Sequence, residues 1–276
     1  MGVVVITGCS SGLGYEGALG FARRGDRVYA AMRNPDKGDL AKVLSDEGLD
    51  AEVLQLDVDD EASVRAGVGE VLEREGRVDV LINNAGTGGT GASIEESTDE
   101  AWLAIISTNL LGPLRCSRAV LPAMREQGGG TIVNVSSING RMYGVPFASS
   151  YSATKHALCS LSDSIAAETQ DFGITVACIE PGFFKTAIVD NATIPDPTGS
   201  PYESIGRAME AYYRTSVENG ADPTAVVEAF LAAADGTLPT DTIHHLVGDD
   251  AQLFVGGMEQ MSYVDYQAMG RQMIGY

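Results

Sequence analysis

Lysine is scarce in this 276-residue chain, which holds four (Lys37, Lys42, Lys155 and Lys185) and only 18 Lys and Arg against 38 acidic residues. The formal net charge of −20 argues against nucleic acid or an anionic membrane as partner, because polyanion binding needs net positive surface. No apolar run approaches the ~18 residues of a membrane span. The opening Met1–Ile6 run has no basic leader or cleavage site, so no secretion signal is expected. Cysteine is sparse as well: Cys9, Cys116, Cys159 and Cys178 lie far apart, with neither paired zinc spacing nor a disulfide framework. A reducing, cytoplasmic setting suits them. Of the three histidines, His156 reads as structural. His244 and His245 are adjacent, which points them apart on a strand, and no Cys or acidic cluster in the sequence completes a set. No metal is expected.

What is present is a core and a rhythm. Hydrophobic residues make up 44% of the chain, enough to exclude wholesale disorder. Short β-branched runs at 3–7, 27–31, 52–56, 78–83, 131–136 and 175–180 alternate with helical patterns, the signature of an α/β fold with a parallel sheet. Each run is nearly all apolar, as expected where helices cover both faces. Long helices are expected over 99–127 and 151–172. Beyond Pro181-Gly182 come a loop over 190–201, a helix over 202–218, and a helix ending near 236 that opens on Asp222-Pro223 as N-cap and first-turn proline. A short strand is expected at 244–247. No linker or internal repeat interrupts the chain, so residues 1–276 are read as one doubly wound, Rossmann-like domain of about seven strands.

The first strand runs into Thr7-Gly8-Cys9-Ser10-Ser11-Gly12-Leu13-Gly14. Glycines there let the backbone turn and approach a pyrophosphate, while the following helix presents free N–H groups and partial positive charge. Cys9 is expected to pack rather than react. At the end of the second strand a carboxylate selects NAD, and an arginine favours the extra phosphate of NADP. Here Met32 fills that slot and Arg33 follows, which points to NADP, with NAD the alternative; Ser11 adds no charge. Asn83-Asn84-Ala85-Gly86 ends the fourth strand with small residues that allow close approach of a ligand.

Tyr151 and Lys155 stand four residues apart, on one helical face. A nearby cation favours the phenolate and lowers a tyrosine pKa. Ser137, at the carboxyl edge of strand five, can donate to a carbonyl oxygen as negative charge develops. Ser136 is a contender for that role, and strand alternation sends the two hydroxyls to opposite faces. Pro113 has no N–H for the carbonyl of Asn109, so a kink and another partner for that carbonyl, a buried water, are expected there.

Over about residues 3–186 the chain resembles the short-chain dehydrogenase/reductase family: TGCSSGLG, Asp57 after strand three, NNAG, Asn109, Ser137, YSATK, then Pro181-Gly182 with Thr186. The resemblance implies that Tyr151 is the general acid/base, that Lys155 tunes it and binds the nicotinamide ribose, and that Ser137 polarises the substrate. It implies that a water at Asn109 joins the lysine to a proton relay. Asp57 and Val58 would border the adenine, Asn83 the adenosine side, and Pro181, Gly182 and Thr186 the nicotinamide end. The segment from 137 to 151 is one residue longer than in many members.

The stretch 183–218 is expected to cover the substrate, supplying Phe183, Phe184, Ile188 and Val189, with Tyr212 and Tyr213 further on and Tyr143, Val145 and Phe147 opposite. An apolar lid suggests a cyclic, steroid-like or aryl ketone or secondary alcohol. The leading expectation is an NADP(H)-dependent carbonyl reductase; an NAD-linked alcohol dehydrogenase running oxidatively and a non-catalytic nucleotide sensor are the alternatives. A homodimer or homotetramer on the two long helices is implied by the resemblance. The carboxylates gather at 46–52, 57–61, 70–75 and 95–100, in outer helices and loops.

Overall fold

The computed structural model describes residues 1–186 and 195–275. Seven strands form one parallel sheet: β1 Val3–Thr7, β2 Arg27–Met32, β3 Ala51–Gln55, β4 Val80–Asn83, β5 Gly130–Val135, β6 Ile174–Pro181 and β7 His244–Val247. Their order is β3-β2-β1-β4-β5-β6-β7. The chain leaves β1 toward one edge and returns at β4 on its other side, so the crevice for a ligand opens over the carboxyl ends of these two strands.

Alternation along each strand feeds two cores. Val4, Ile6, Val28 and Ala30 pack with Phe21 of helix α1 (Gly12–Arg24), Leu44 of α2 (Leu40–Asp46) and Phe230 of α8 (Thr224–Ala234), which follows α7 (Glu203–Glu218). Val3, Val5, Tyr29 and Leu81 pack on the other face with Val64 of α3 (Glu61–Glu75), Val120 of α5 (Gly112–Glu126) and Ile165 of α6 (Ser149–Thr169). Both faces are therefore dry, which is why these strands read as continuous apolar runs. Helix α8 starts one residue later than expected, with Pro223 at its N-cap, and the Asp222 carboxylate accepts from the Thr224 N–H at 2.9 Å.

The helix expected over 99–127 is not continuous. Helix α4 (Asp99–Ile106) passes into a π-turn at Ser107–Leu111 before α5 begins, and the Gly112 N–H donates to the carbonyl of Ser107. The missing N–H of Pro113 is the physical reason, since the turn widens where the regular ladder cannot close. Two helices near the C-terminus, α9 (Asp249–Glu259) and α10 (Tyr263–Ile274), escaped sequence reading. Their apolar sides close a third cluster with Ile138 and Met142. Ile188, Val189 and residues 190–194 lie outside the described residues. Among the described residues no helix is long and apolar enough to cross a membrane.

Candidate active site

The loop after β1 is built around two left-handed glycines, Gly8 (φ 75°) and Gly12 (φ 61°). A Cβ on Gly8 would stand 2.7 Å from the Cα of Ala85, so β4 and the loop touch backbone to backbone. Ser11 caps α1 in an extended conformation without a side-chain capping bond, and the first turn holds no acidic residue. The N–H groups of Gly12, Leu13 and Gly14 thus carry uncompensated positive charge toward the crevice. Thr186 closes the loop's other side, its Cβ 3.5 Å from where a Gly12 Cβ would be. Cys9 is buried and its thiol donates to the Ile6 carbonyl, with burial holding the pKa far above the usual range. At the end of β2, Met32 is buried, while Arg33 and, four residues on, Lys37 are exposed and make no ion pair among the described residues.

On strand β4 the Asn83 side chain points into the sheet–helix interface, donating to Ser117 Oγ at 3.1 Å and Asn134 Oδ1 at 2.8 Å. Its neighbour Asn84, pointing the other way, donates to the Thr7 carbonyl at 2.9 Å and braces the glycine loop. Gly86 lies where a Cβ would meet Asn109 Oδ1 at 3.4 Å and Lys155 Nζ at 3.7 Å. The Asp57 carboxylate accepts from the Asp59 N–H at 3.0 Å, and Val58 is buried with its carbonyl accepting from Arg115.

Four side chains converge beyond β5. The Tyr151 phenol faces the Ser137 hydroxyl, and burial pushes its pKa up while that hydroxyl pulls partly back. Lys155 Nζ sits 5.5 Å from the centre of the Tyr151 ring and donates to the Val135 carbonyl at 2.8 Å. Burial brings the lysine pKa down to about 8. Asn109, fully buried in the π-turn, accepts from the Thr87 N–H and donates to the Thr87 carbonyl, both at 2.9 Å, and reaches Thr154 at 3.3 Å. The two serines separate as alternation requires. Ser137 Oγ faces Tyr151, whereas Ser136 Oγ is buried against α6 and donates to the Lys155 carbonyl at 3.1 Å.

A glycine loop at the switch point, with a Ser–Tyr–Lys–Asn quartet across the crevice, matches a family model described as short chain dehydrogenase over residues 2–196. The chain belongs to the short-chain dehydrogenase family. A 3-ketodihydrosphingosine reductase from Bacteroides thetaiotaomicron is 39% identical over 197 residues, covering 71% of this chain and 69% of the relative. A short-chain dehydrogenase structure from Streptomyces avermitilis covers 100% of this chain and 98% of its own, at TM-score 0.82 and 32% identity. A single-site variant of the actinorhodin polyketide ketoreductase, solved with NADPH, covers 89% and 94% at TM-score 0.76 and 32% identity. These likenesses support an oxidoreductase using a nicotinamide cofactor.

In this short-chain dehydrogenase a cleft opens beside the quartet, lined by Ile138, Asn139, Val145, Phe183, Tyr212 and Tyr213 and walled by Phe254 and Tyr266 of the two last helices. Tyr213 lies close enough to Tyr151 for their charges to interact, so the cleft lies next to the phenol. The sequence reading missed Asn139 and the α9–α10 wall, because neither carries a motif. Phe183 lines the cleft, but Phe184 does not: it is buried in the core beside Cys9 and Phe230. Adjacent residues in extended chain face opposite ways, so only one of the pair can meet a substrate. Tyr143 stands at the outer edge on Tyr263 and Tyr266, and Phe147 (φ 62°) packs against Gly206. Pro181 pairs with Val247 of β7 and Gly182 meets α9, where Asp250 accepts from the Phe183 N–H at 2.6 Å.

His244 has company in three dimensions: Cys159, Cys178, Glu180 and His244 bring one potential ligand atom each to within 4.8 Å of one another.

Proposed function

We propose that this chain is an NADP(H)-dependent carbonyl reductase acting on an apolar ketone of cyclic, steroid-like or aryl type. The observation that carries the reading is the Tyr151 phenol, facing Ser137 beside an aromatic cleft. Burial holds that phenol protonated at neutral pH, so it is ready to give a proton to a developing alkoxide. Ser137 donates to the same oxygen and fixes its position. Lys155, anchored by Val135, holds a cation beside the tyrosine ring, and Asn109 locks the loop that carries Gly86 against it.

The residues fit a dinucleotide. Gly8 leaves room only for bare backbone beside Ala85, and the start of α1 offers N–H groups with neither a capping hydroxyl nor an acid to compete. Gly8, Ser10, Ser11, Gly12, Leu13 and Gly14 would hold the pyrophosphate, Asp57 and Val58 the adenine, Ala85, Gly86, Pro181, Gly182 and Thr186 the nicotinamide side. When bound, the nicotinamide supplies the hydride. Exposed Arg33, free of carboxylate partners among the described residues, supports the 2′-phosphate form. The same reading includes a homodimer or homotetramer packed on α5 and α6, which light scattering would reveal as a multiple of the chain mass.

A panel of ketones and alcohols followed by nicotinamide absorbance with both cofactors tests the proposal. Turnover of apolar ketones with NADPH is expected. Turnover confined to NAD and alcohols, or to polar sugar acids, would overturn it.

A further inference from the structure

One turn along α6 from Lys155, α6, β6 and β7 bring together four side chains that the proposed reaction does not use. Cys159 Sγ and Cys178 Sγ are 3.8 Å apart, and Cys159 Sγ lies 3.4 Å from Glu180 Oε1. His244 Nδ1 is 2.7 Å from the same carboxylate oxygen. Cys159, Cys178 and Glu180 are buried, and Glu180 is fully so.

These spacings approach those of a metal tetrahedron. Zinc–sulfur bonds of ~2.3 Å at a tetrahedral angle put two sulfurs about 3.8 Å apart, and a sulfur and a carboxylate oxygen about 3.6 Å apart. The His244–Glu180 edge is shorter, as a shared proton requires, and widens by roughly 0.6 Å when a metal replaces that proton. The surroundings are those of a supported site. His244 Nε2 lies 3.0 Å from Asp163 Oδ1, the carboxylate–histidine arrangement that fixes a ligand's tautomer. Arg141 Nη1 stands 3.4 Å from Glu180 Oε2. Two thiolates, one carboxylate and a neutral imidazole around a divalent ion leave one net negative charge, which the arginine offsets. Asp163 is 59% exposed and His244 18%, so an entry path runs from the surface past both.

We propose that Cys159, Cys178, Glu180 and His244 form a structural binding site for a thiolate-preferring divalent metal of the zinc type. Loading takes up one M²⁺ and releases three protons, two from the thiols and one from between His244 and Glu180; no oxidation state changes. Four protein ligands close the coordination sphere, so the ion has no open position for catalysis. Its effect is mechanical. Cys159 is one turn beyond Lys155, and Ser136 Oγ bridges the Lys155 carbonyl (3.1 Å) and Cys159 Sγ (3.3 Å), so the ion pins α6 to β6 and β7 directly behind the lysine. The site stands independently of the reductase reading.

The test uses tag-free full-length protein, stripped by a chelator under reducing conditions and titrated with Co²⁺ alone, then Zn²⁺. One Co²⁺ per chain, with intense tetrahedral visible bands and thiolate-to-metal charge transfer displaced by Zn²⁺, is expected, together with a higher melting temperature when loaded. Cys178→Ser should weaken binding at least ~100-fold and reduce the charge-transfer band. Asp163→Asn, at an exposed position that leaves the core intact, should keep the bands and weaken binding by ~10–100-fold. Weak octahedral bands, or no uptake with all four thiols free, would overturn the site. So would isolation of a Cys159–Cys178 disulfide that forms in preference to metal uptake under reducing conditions.

Discussion

Lys155 is tied to Val135: its ammonium donates to that carbonyl at 2.8 Å inside the protein. The bond aims the cation at the underside of Tyr151, while burial of both groups moves their pKa values in opposite directions, the phenol up and the ammonium down to about 8. The phenolate that a cation four residues away would favour is therefore outweighed by desolvation. The resting pair is a neutral acid beside a weakly held cation.

That arrangement has a stability signature. Between pH 8 and 10.5 the unfolded chain keeps the Lys155 proton that the folded one has lost, so stability contributed through this residue rises with pH across that window. The stability advantage of Lys155→Met over the parent protein should be largest at or below pH 8 and shrink by about 3 kcal/mol above pH 10.5. Denaturant melts at pH 7 and pH 10.5 read this directly, and a difference that stays constant would contradict it.

The two neighbouring serines should behave differently. Tyr151→Phe is expected to lower kcat by ~10²–10⁴ with the fold intact. Ser137→Ala should lower it by ~10²–10³. Ser136→Ala, whose hydroxyl serves α6, should leave turnover within a few-fold and show instead a loss of ~1 kcal/mol in stability. Equal kinetic losses for the two serine variants would mean that the assignment by facing is wrong.

Cofactor choice should pass through Arg33. Arg33→Ala is expected to raise the KM for NADPH about 10-fold, equivalent to the loss of one charged hydrogen bond, and to leave that for NADH unchanged. A parallel change for both cofactors would remove Arg33 from the 2′-phosphate site.

Phe183 and Phe184 are adjacent but should fail in different assays. Phe184→Ala empties part of the core beside Phe230 and should cost ~3–5 kcal/mol. Phe183→Ala should change KM for apolar ketones several-fold with a smaller effect on melting, because its ring lines the cleft with Tyr212 and Tyr213.

Much of this molecule was legible in the linear sequence because its signals are local. Apolar runs bounded by turns announced the seven strands, and the ends moved by only one or two residues. The glycine loop needs only neighbouring residues to form. Tyr151 and Lys155 share a face because a helix repeats every 3.6 residues. Pro113 marked the interruption at Asn109 because a missing N–H is a local property, although the π-turn that resolves it had to be seen.

What depended on tertiary structure is of another kind. Which of Ser136 and Ser137 meets the tyrosine, which of Asn83 and Asn84 braces the glycine loop, and which of Phe183 and Phe184 faces the cleft are choices between adjacent residues. They are settled by which side of the sheet is occupied. The wall of α9 and α10 has no motif, only an apolar side whose partner lies more than a hundred residues away. The meeting of Cys159, Cys178, Glu180 and His244 is the extreme case. Sequence separation made them look unrelated, and parallel pairing of β6 with β7 under α6 put them within one coordination sphere. Local chemistry determined the elements and the reacting side chains; only the stacking of helix on sheet decided which neighbours they keep.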